Sequence, residues 1–308
     1  MKKVFIDGKA GTTGLRIEER LSGRDDIEIV LIPEELRKDP ETKKKILNSV
    51  DIAFLCLPDA ASMESVSMIE NPNVVVIDTS TAHRTNPDWA YGFAELDPSF
   101  EEKIKNSKRI AVPGCHASGF IALVYPLIKA GILPNDALLS AHSITGYSGG
   151  GKKMIGEYEE QKPELYEYPR QYGLSQGHKH LPEMSKITGL LNKPVFCPIV
   201  SDFYSGMEVT IPLFKSQLNY GGIEEIKEIY KKTYTGPIVS YIEAGDEAGF
   251  LSAGKLSGKD SMQIEVYGSE DRIILVSRYD NLGKGASGAA VECLNIVLGA
   301  EKTKTLEI

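Results

Sequence analysis

The sequence predicts an α/β protein: a Rossmann-like, doubly wound nucleotide domain carrying an inserted α+β domain on a mainly antiparallel sheet. Three observations predict it. Short apolar runs alternate with helical patterns through residues 1–80, and a glycine-rich turn joins the first strand to the first helix. Beyond residue 137 the runs alternate apolar and polar residues instead, as half-exposed antiparallel strands do.

Taken in order, residues 3–6 read as a strand, 8–14 as a turn, and 15–21 as a helix with Leu15, Ile17 and Leu21 on its apolar side. A second strand over 27–32 is followed by a helix over 43–48. A buried strand over 52–57 is stopped by Pro58, a helix covers 60–69, and a buried strand over 74–77 ends in Asp78-Thr79-Ser80. A helix is predicted over 119–130, closed by Gly131. Strands follow over 137–145, 195–199, 206–214, 261–267 and 272–278, with a long polar loop over 151–177. A last helix over 286–298 follows the glycine-rich stretch 280–285.

At 308 residues the chain is long enough for two domains. Its net charge of -8 argues against nucleic acid as a partner, since a phosphate-backbone binder needs a basic footprint. No apolar run approaches the roughly 18 residues of a membrane span. The four cysteines are widely spaced without a CxxC pair, so neither a metal site nor a disulfide framework is expected. A reducing cytoplasm and a small-molecule substrate are the expectation.

The turn Gly8-Lys9-Ala10-Gly11-Thr12-Thr13-Gly14 lies between a strand and a helix, which sets backbone N–H groups and a helix N-terminus against a phosphate. Near the end of the second strand, Glu34 suits the ribose hydroxyls of NAD, whereas Arg37 and Lys38 suit the 2′-phosphate of NADP; spacing leaves both open. Cys115 sits in Val112-Pro113-Gly114-Cys115-His116-Ala117-Ser118-Gly119, at a forced turn before a helix, where the dipole and free N–H groups favour a thiolate. Cys56, Cys197 and Cys293 read as small apolar residues.

A thiolate that attacks an acyl group needs a proton shuttle. His178 and His180 in His178-Lys179-His180-Leu181-Pro182-Glu183 are two apart, so in extended backbone they face one side, and His180 is favoured. Substrate-anion binding and metal ligation remain alternatives for the pair. Glu183 is placed to start a helix and orient an imidazole. His116 reads as a pocket wall, and His83 and His142 as structural. The stretch from Ser143 to Lys152, with Ser148 and three glycines, reads as an anion nest. Arg84 is a candidate for a substrate carboxylate or phosphate, or for a structural ion pair. Asn281 is set to meet a nicotinamide carboxamide.

These runs together resemble the N-acetyl-gamma-glutamyl-phosphate reductases in their shorter form, relatives of the aspartate-semialdehyde dehydrogenases. The resemblance rests on FIDGKAGTTGL, FLCLPD, DTSTAHR, PGC, SITGYSGGGK, HKHLPEM and DNLGKGASGAAVECLN, in the family's order across almost the whole chain. It implies NADPH-dependent reductive dephosphorylation of an acyl phosphate through a thioester on Cys115, with the paired histidines moving protons. It implies Arg84, Ser148, Lys152 and Glu183 at the substrate, and Cys56 and Pro58 beside the cofactor. It also implies a nucleotide domain of residues 1–115 plus 285–308, a catalytic and oligomerisation domain of 116–284, and a homo-oligomer, dimer or tetramer. After PGC the family commonly has Tyr-Pro-Thr; here His116, Ala117 and Ser118 build that wall. The competing readings are a semialdehyde dehydrogenase for an aspartyl or amino-adipyl phosphate, and a non-catalytic NADP sensor on the same fold.

Overall fold

Six parallel strands make the first sheet of the computed structural model, which describes residues 1–308 apart from Ala10, Arg37, Lys38 and the Glu34 side chain. They are β1 (Lys2–Asp7), β2 (Ile27–Val30), β3 (Ile52–Leu55), β4 (Val75–Asp78), β5 (Ala90–Tyr91) and β6 (Arg109–Ala111), in the order β2-β1-β3-β4-β6-β5. The helices α1 (Thr12–Leu21), α2 (Pro40–Ser49), α3 (Asp59–Ser67) and α4 (Pro98–Asn106) connect them. A parallel sheet must be covered on both sides, and it is. Ile17 and Leu21 of α1 meet Val4, Phe54 and Ile77 on one face, and Leu47 of α2 meets Phe5, Ala53 and Val76 on the other. The first of these faces is completed by the C-terminal helix, through Ala290, Val291 and Leu294.

The strand order reverses between β1 and β3. Ligands of open α/β sheets bind in the crevice outside such a point, at the carboxyl ends of the strands. Here those ends are Asp7 and Leu55, tied by a 2.8 Å hydrogen bond from the Cys56 N–H to the Asp7 carbonyl.

The second sheet contains β7 (Ser140–Gly146), β8 (Arg170–Gln171), β9 (Val195–Ser201), β10 (Met207–Phe214), β11 (Val239–Tyr241), β12 (Met262–Gly268) and β13 (Arg272–Tyr279), ordered β11-β12-β13-β10-β7-β9-β8. It is mainly antiparallel, as expected, but β11–β12 and β7–β9 pair in parallel. Its inner face, with Val209, Ile211, Ile264 and Leu275, packs on Phe120, Leu123 and Leu127 of α5 (Cys115–Lys129) and on Tyr230 of α8 (Ile223–Thr233).

Three departures from expectation bear on the site. Helix α5 begins at Cys115 rather than Gly119, because Gly114 caps it and Tyr279 supports its first turn from β13. The expected loop over 151–177 contains helix α6 (Gly151–Glu159) and the edge strand β8. Tertiary stacking organises that segment: Tyr147 stacks on Tyr158 at 4.6 Å, and the Arg170 guanidinium lies 3.3 Å over the Tyr166 ring. The last helix, α9 (Gly288–Leu298), is preceded by a π-turn over Gly283–Ser287. Between β8 and β9 lies α7 (Leu181–Thr188).

Candidate active site

Gly11 to Gly14 end the glycine turn and begin α1, whose N-cap Gly11 offers no side-chain cap, leaving the first-turn N–H groups open to an anion. Gly8 has φ of +82°, and a Cβ there would lie 2.3 Å from the Cys56 carbonyl oxygen; only glycine lets the two strand ends close. Gly8 therefore shapes the loop from behind, while Gly11, Thr12, Thr13, Gly14, Cys56 and Pro58 line a cavity of about 380 Å³. This cradle fits a dinucleotide phosphate. Arg37 and Lys38 lie outside the described residues. Cys56 is no reactive group, since burial pushes its thiol up to about 12.

A larger cavity of about 430 Å³ adjoins the first and shares Thr12, Thr13, Thr79, Arg84 and Lys179 with it. Cys115, His116, His178 and His180 line it, together with Ser148 and Asn281. One crevice therefore runs from the glycine loop to the thiol.

Cys115 is the first residue of α5. Its neighbour Gly114 is enclosed: a Cβ there would lie 2.3 Å from Arg84 Nη1 and 2.6 Å from His180 Nε2. That close approach seats the His180 imidazole beside the cysteine turn. From the other side, a Cβ at Gly285 would lie 3.1 Å from the Cys115 Cβ, so the loop before α9 also rests on the cysteine. The Tyr279 hydroxyl donates to the Cys115 carbonyl at 2.6 Å and accepts from the Gly119 N–H at 3.1 Å, bridging the helix's first turn.

The electrostatics differ from a preformed thiolate. Burial pushes the Cys115 thiol up, against the opposing effects of Arg84, the His116 N–H and Lys179. Burial also holds all three imidazoles below the usual histidine value, His116 at about 3 and His180 well below, with Arg84 adding to the effect on His180. The resting site is thus a neutral thiol among neutral imidazoles.

His178 and His180 do not lie in extended backbone: His180 is helical, at φ −85° and ψ −13°, and caps α7. The turn still brings their rings to 4.8 Å at 81°. The His180 N–H donates to His178 Nδ1 at 3.2 Å, so neutral His178 carries its proton on Nε2. His116 forms the wall beneath them, its nitrogens at 2.6 Å from Ser143 Oγ and from the Tyr172 hydroxyl. His83 is structural, stacked on Trp89 at 3.9 Å and bonded to Asp78. His142 is exposed on β7.

Glu183 neither lines the cavity nor orients an imidazole. It lies in the first turn of α7, buried, and accepts from the Tyr91 hydroxyl at 2.7 Å, the Gly114 N–H at 2.8 Å and Arg84 at 3.2 Å. Burial without these donors would be costly for a carboxylate. Arg84 is a clasp as well as a lining residue: its Nε and Nη2 donate to the Val112 and Thr79 carbonyls, both at 2.8 Å. Lys152 is exposed on α6 and does not line the cavity, so the anion nest narrows to Ser148 and the glycines after it. The Asn281 amide is already engaged, donating to Ser148 Oγ at 3.0 Å and accepting from the Gly206 N–H at 2.9 Å. Tyr172, Tyr279 and Lys179 escaped the sequence reading. Only Lys179 carried a signal, standing between the two histidines.

Comparison with known proteins defines the class first. A family model described as semialdehyde dehydrogenase, NAD binding domain, matches residues 9–107, and one described as semialdehyde dehydrogenase, dimerisation domain, matches residues 115–281. This is a semialdehyde-dehydrogenase-type chain. Aspartate semialdehyde dehydrogenase II of Vibrio cholerae, complexed with ASA, shares the fold at a TM-score of 0.75 and 17% identity, over 97% of this chain and 98% of that one. The Candida albicans aspartate semialdehyde dehydrogenase with NADP gives 0.68 at 15% identity, over 97% of this chain and 99% of that one.

Within that class the chain belongs to the N-acetyl-gamma-glutamyl-phosphate reductase family. It is 46% identical to the protein named N-acetyl-gamma-glutamyl-phosphate reductase 2 in Nostoc sp., covering 96% of this chain and 97% of the relative. It is also 46% identical to the N-acetyl-gamma-glutamyl-phosphate reductase of Sinorhizobium medicae, covering 97% and 99%.

Proposed function

We propose that this chain reduces N-acetyl-L-glutamyl 5-phosphate to N-acetyl-L-glutamate 5-semialdehyde and phosphate, using NADPH, in arginine biosynthesis. The observation that carries the reading is the single crevice in which the thiol of Cys115, the imidazoles of His178 and His180, and the glycine cradle of α1 all meet.

The neutral thiol and neutral imidazole set the order of events. As Cys115 Sγ attacks the acyl carbon, its proton passes to His180, which is held unprotonated and ready to accept. The acyl–oxygen bond breaks and phosphate leaves, giving a thioester on Cys115. Donors of the Ser148–Gly151 turn face the same cavity and suit the developing oxyanion. NADPH, when bound along the cradle, supplies the hydride that reduces the thioester. His180 returns its proton to the sulfur as the aldehyde departs, with His178 beside it as the second member of the relay. Glu183 and Arg84 act as positioning residues, fixing the Gly114 turn.

We assign residues 1–115 plus 285–308 to the nucleotide domain and 116–284 to the catalytic and oligomerisation domain. The packing of α9 on the first sheet and of α5 on the second supports that division. The outer face of the second sheet leaves Val195, Phe214 and Ile274 at 57%, 61% and 40% exposure. An uncovered apolar face of this kind suits a second copy of the chain, giving a homodimer or a tetramer of two such pairs. No described helix is long and apolar enough to cross a membrane. The four free cysteines fit a reducing cytoplasm.

The test is the reverse reaction: phosphate-dependent oxidation of N-acetylglutamate semialdehyde with NADP⁺. NADPH formation that needs both phosphate and Cys115 supports the reading. Faster turnover of aspartate semialdehyde would move the assignment to the competing acyl phosphate.

A further inference from the structure

We infer that Lys179 is the cation that receives the departing phosphate, an assignment that rests on the reaction proposed above. An acyl phosphate brings several negative charges into the larger cavity, whose imidazoles are neutral. Arg84 and Lys179 are the two fixed cations among the described lining residues. The charge of Arg84 is already answered by Glu183 at 3.2 Å, and two of its nitrogens are spent on backbone carbonyls. Lys152, the lysine of the glycine-rich turn, is exposed and off the cavity.

Lys179 is placed differently. It follows His178 and precedes His180, is exposed, and lines both cavities where they join. Among the described residues its ammonium has no acidic partner within 4.0 Å. Its charge is felt at both ends of the crevice: it favours ionisation of Cys115 and of Asp59, and disfavours protonation of His178 and His180. A cation so placed stands beside the sulfur without being consumed by a structural ion pair.

The chemistry needs it at one moment. The Sγ–carbon bond forms, the acyl carbon–oxygen bond breaks, and the electron pair leaves on the phosphate oxygen, which takes a proton from water to become the dianion, while the thiol proton goes to His180. Lys179 stays protonated and pairs with the phosphate dianion as it forms. In the reverse direction the same ammonium binds phosphate as a substrate.

The experiment uses inorganic phosphate, N-acetylglutamate semialdehyde and NADP⁺ with the full-length protein. Lys179→Met is expected to raise KM for phosphate about tenfold, as loss of one charge-assisted contact does, with KM for NADP⁺ and for the semialdehyde unchanged. Lys179→Arg restores most of the phosphate affinity. The side chain is exposed, so an unchanged melting temperature will confirm that the variants fold. An unchanged KM for phosphate in an active Lys179→Met overturns this inference alone. A matching rise in KM for NADP⁺ also overturns it, because the ammonium then serves the cofactor pyrophosphate. Absence of turnover in the wild type overturns the proposed reaction and this inference with it.

Discussion

The hydroxyl of Tyr279 is inserted into the first turn of the helix that carries Cys115, donating to the Cys115 carbonyl and accepting from the Gly119 N–H. The two residues are 164 positions apart in the sequence. The tyrosine fixes the helical turn on which the sulfur is mounted, and it lies outside the lining of the cavity. Tyr279→Phe removes both bonds and lets the turn tighten. We expect a stability loss of about 1 kcal/mol and a fall in kcat of about tenfold, since small misplacement of a reacting group is costly. Kinetics at saturating substrate and a denaturant melt would check this; full kcat in the variant would remove the positioning role.

Cys115 itself gives a pH test. Burial raises its thiol, so alkylation by iodoacetamide in the absence of substrate should still accelerate as the pH rises through about 9. A rate that levels off below neutrality would mean a preformed thiolate and contradict the neutral pair. Cys115→Ser should abolish NADPH formation.

The imidazoles set the other limb. His180 and His178 have depressed values, so they remain proton acceptors at pH values below the ordinary histidine midpoint of about 6.5. The acid limb of kcat/KM for semialdehyde formation should therefore lie below the ordinary histidine midpoint. His180→Asn should lower kcat by about 10²–10⁴, and His178→Asn by less. Equal losses in the two variants would contradict the assignment of His180 as the acceptor.

Lys284 lies buried beneath the loop that presses on Cys115. Its ammonium donates to Glu95 at 2.8 Å and also bonds Glu292 at 2.5 Å. Two carboxylates share this one ammonium, and burial together with Glu95 pushes Glu292 up to about 8. A carboxyl raised above its unfolded value stabilises the fold at low pH and loses that contribution as pH rises through its folded value. The wild-type melting temperature should therefore decline between about pH 5 and 8 relative to Glu292→Gln, which keeps the neutral form throughout. Parallel curves for the two proteins would contradict the raised Glu292 carboxyl.

The open face of the second sheet makes the oligomer testable. Phe214→Asp combined with Ile274→Asp places charge on exposed positions of β10 and β13, and should shift light-scattering mass towards the monomer while leaving the melting transition cooperative. An unchanged mass would place the interface elsewhere.

Much of this molecule was legible before its fold was known, and the reason is local. Four strands of the first sheet, β1 to β4, lie in short apolar-rich runs between turn residues, whereas β5 and β6 are too short to stand out in the sequence, and the glycine loop follows directly from the strand that precedes it. Cys115 declared itself through its Pro-Gly turn. The helix over Gly151–Glu159 did not, because Gly156 interrupts its pattern and the stacking of Tyr158 on Tyr147 depends on tertiary contact. Glu183 was read as a partner for imidazole because the nearest polar groups in sequence are histidines. Its actual donors, Tyr91, Gly114 and Arg84, lie at least 69 positions away. Tyr172 and Tyr279 left no local trace for the same reason.

The placement of α9 has a bearing on how the protein is made. A ribosome delivers the parallel sheet first, so the face of Val4, Phe54 and Ile77 is only partly covered, by Ile17 and Leu21 of α1, until residues beyond 288 emerge. The nascent cofactor cradle must wait for its own carboxyl end, and truncation there is expected to yield aggregation in the cell rather than a smaller working enzyme.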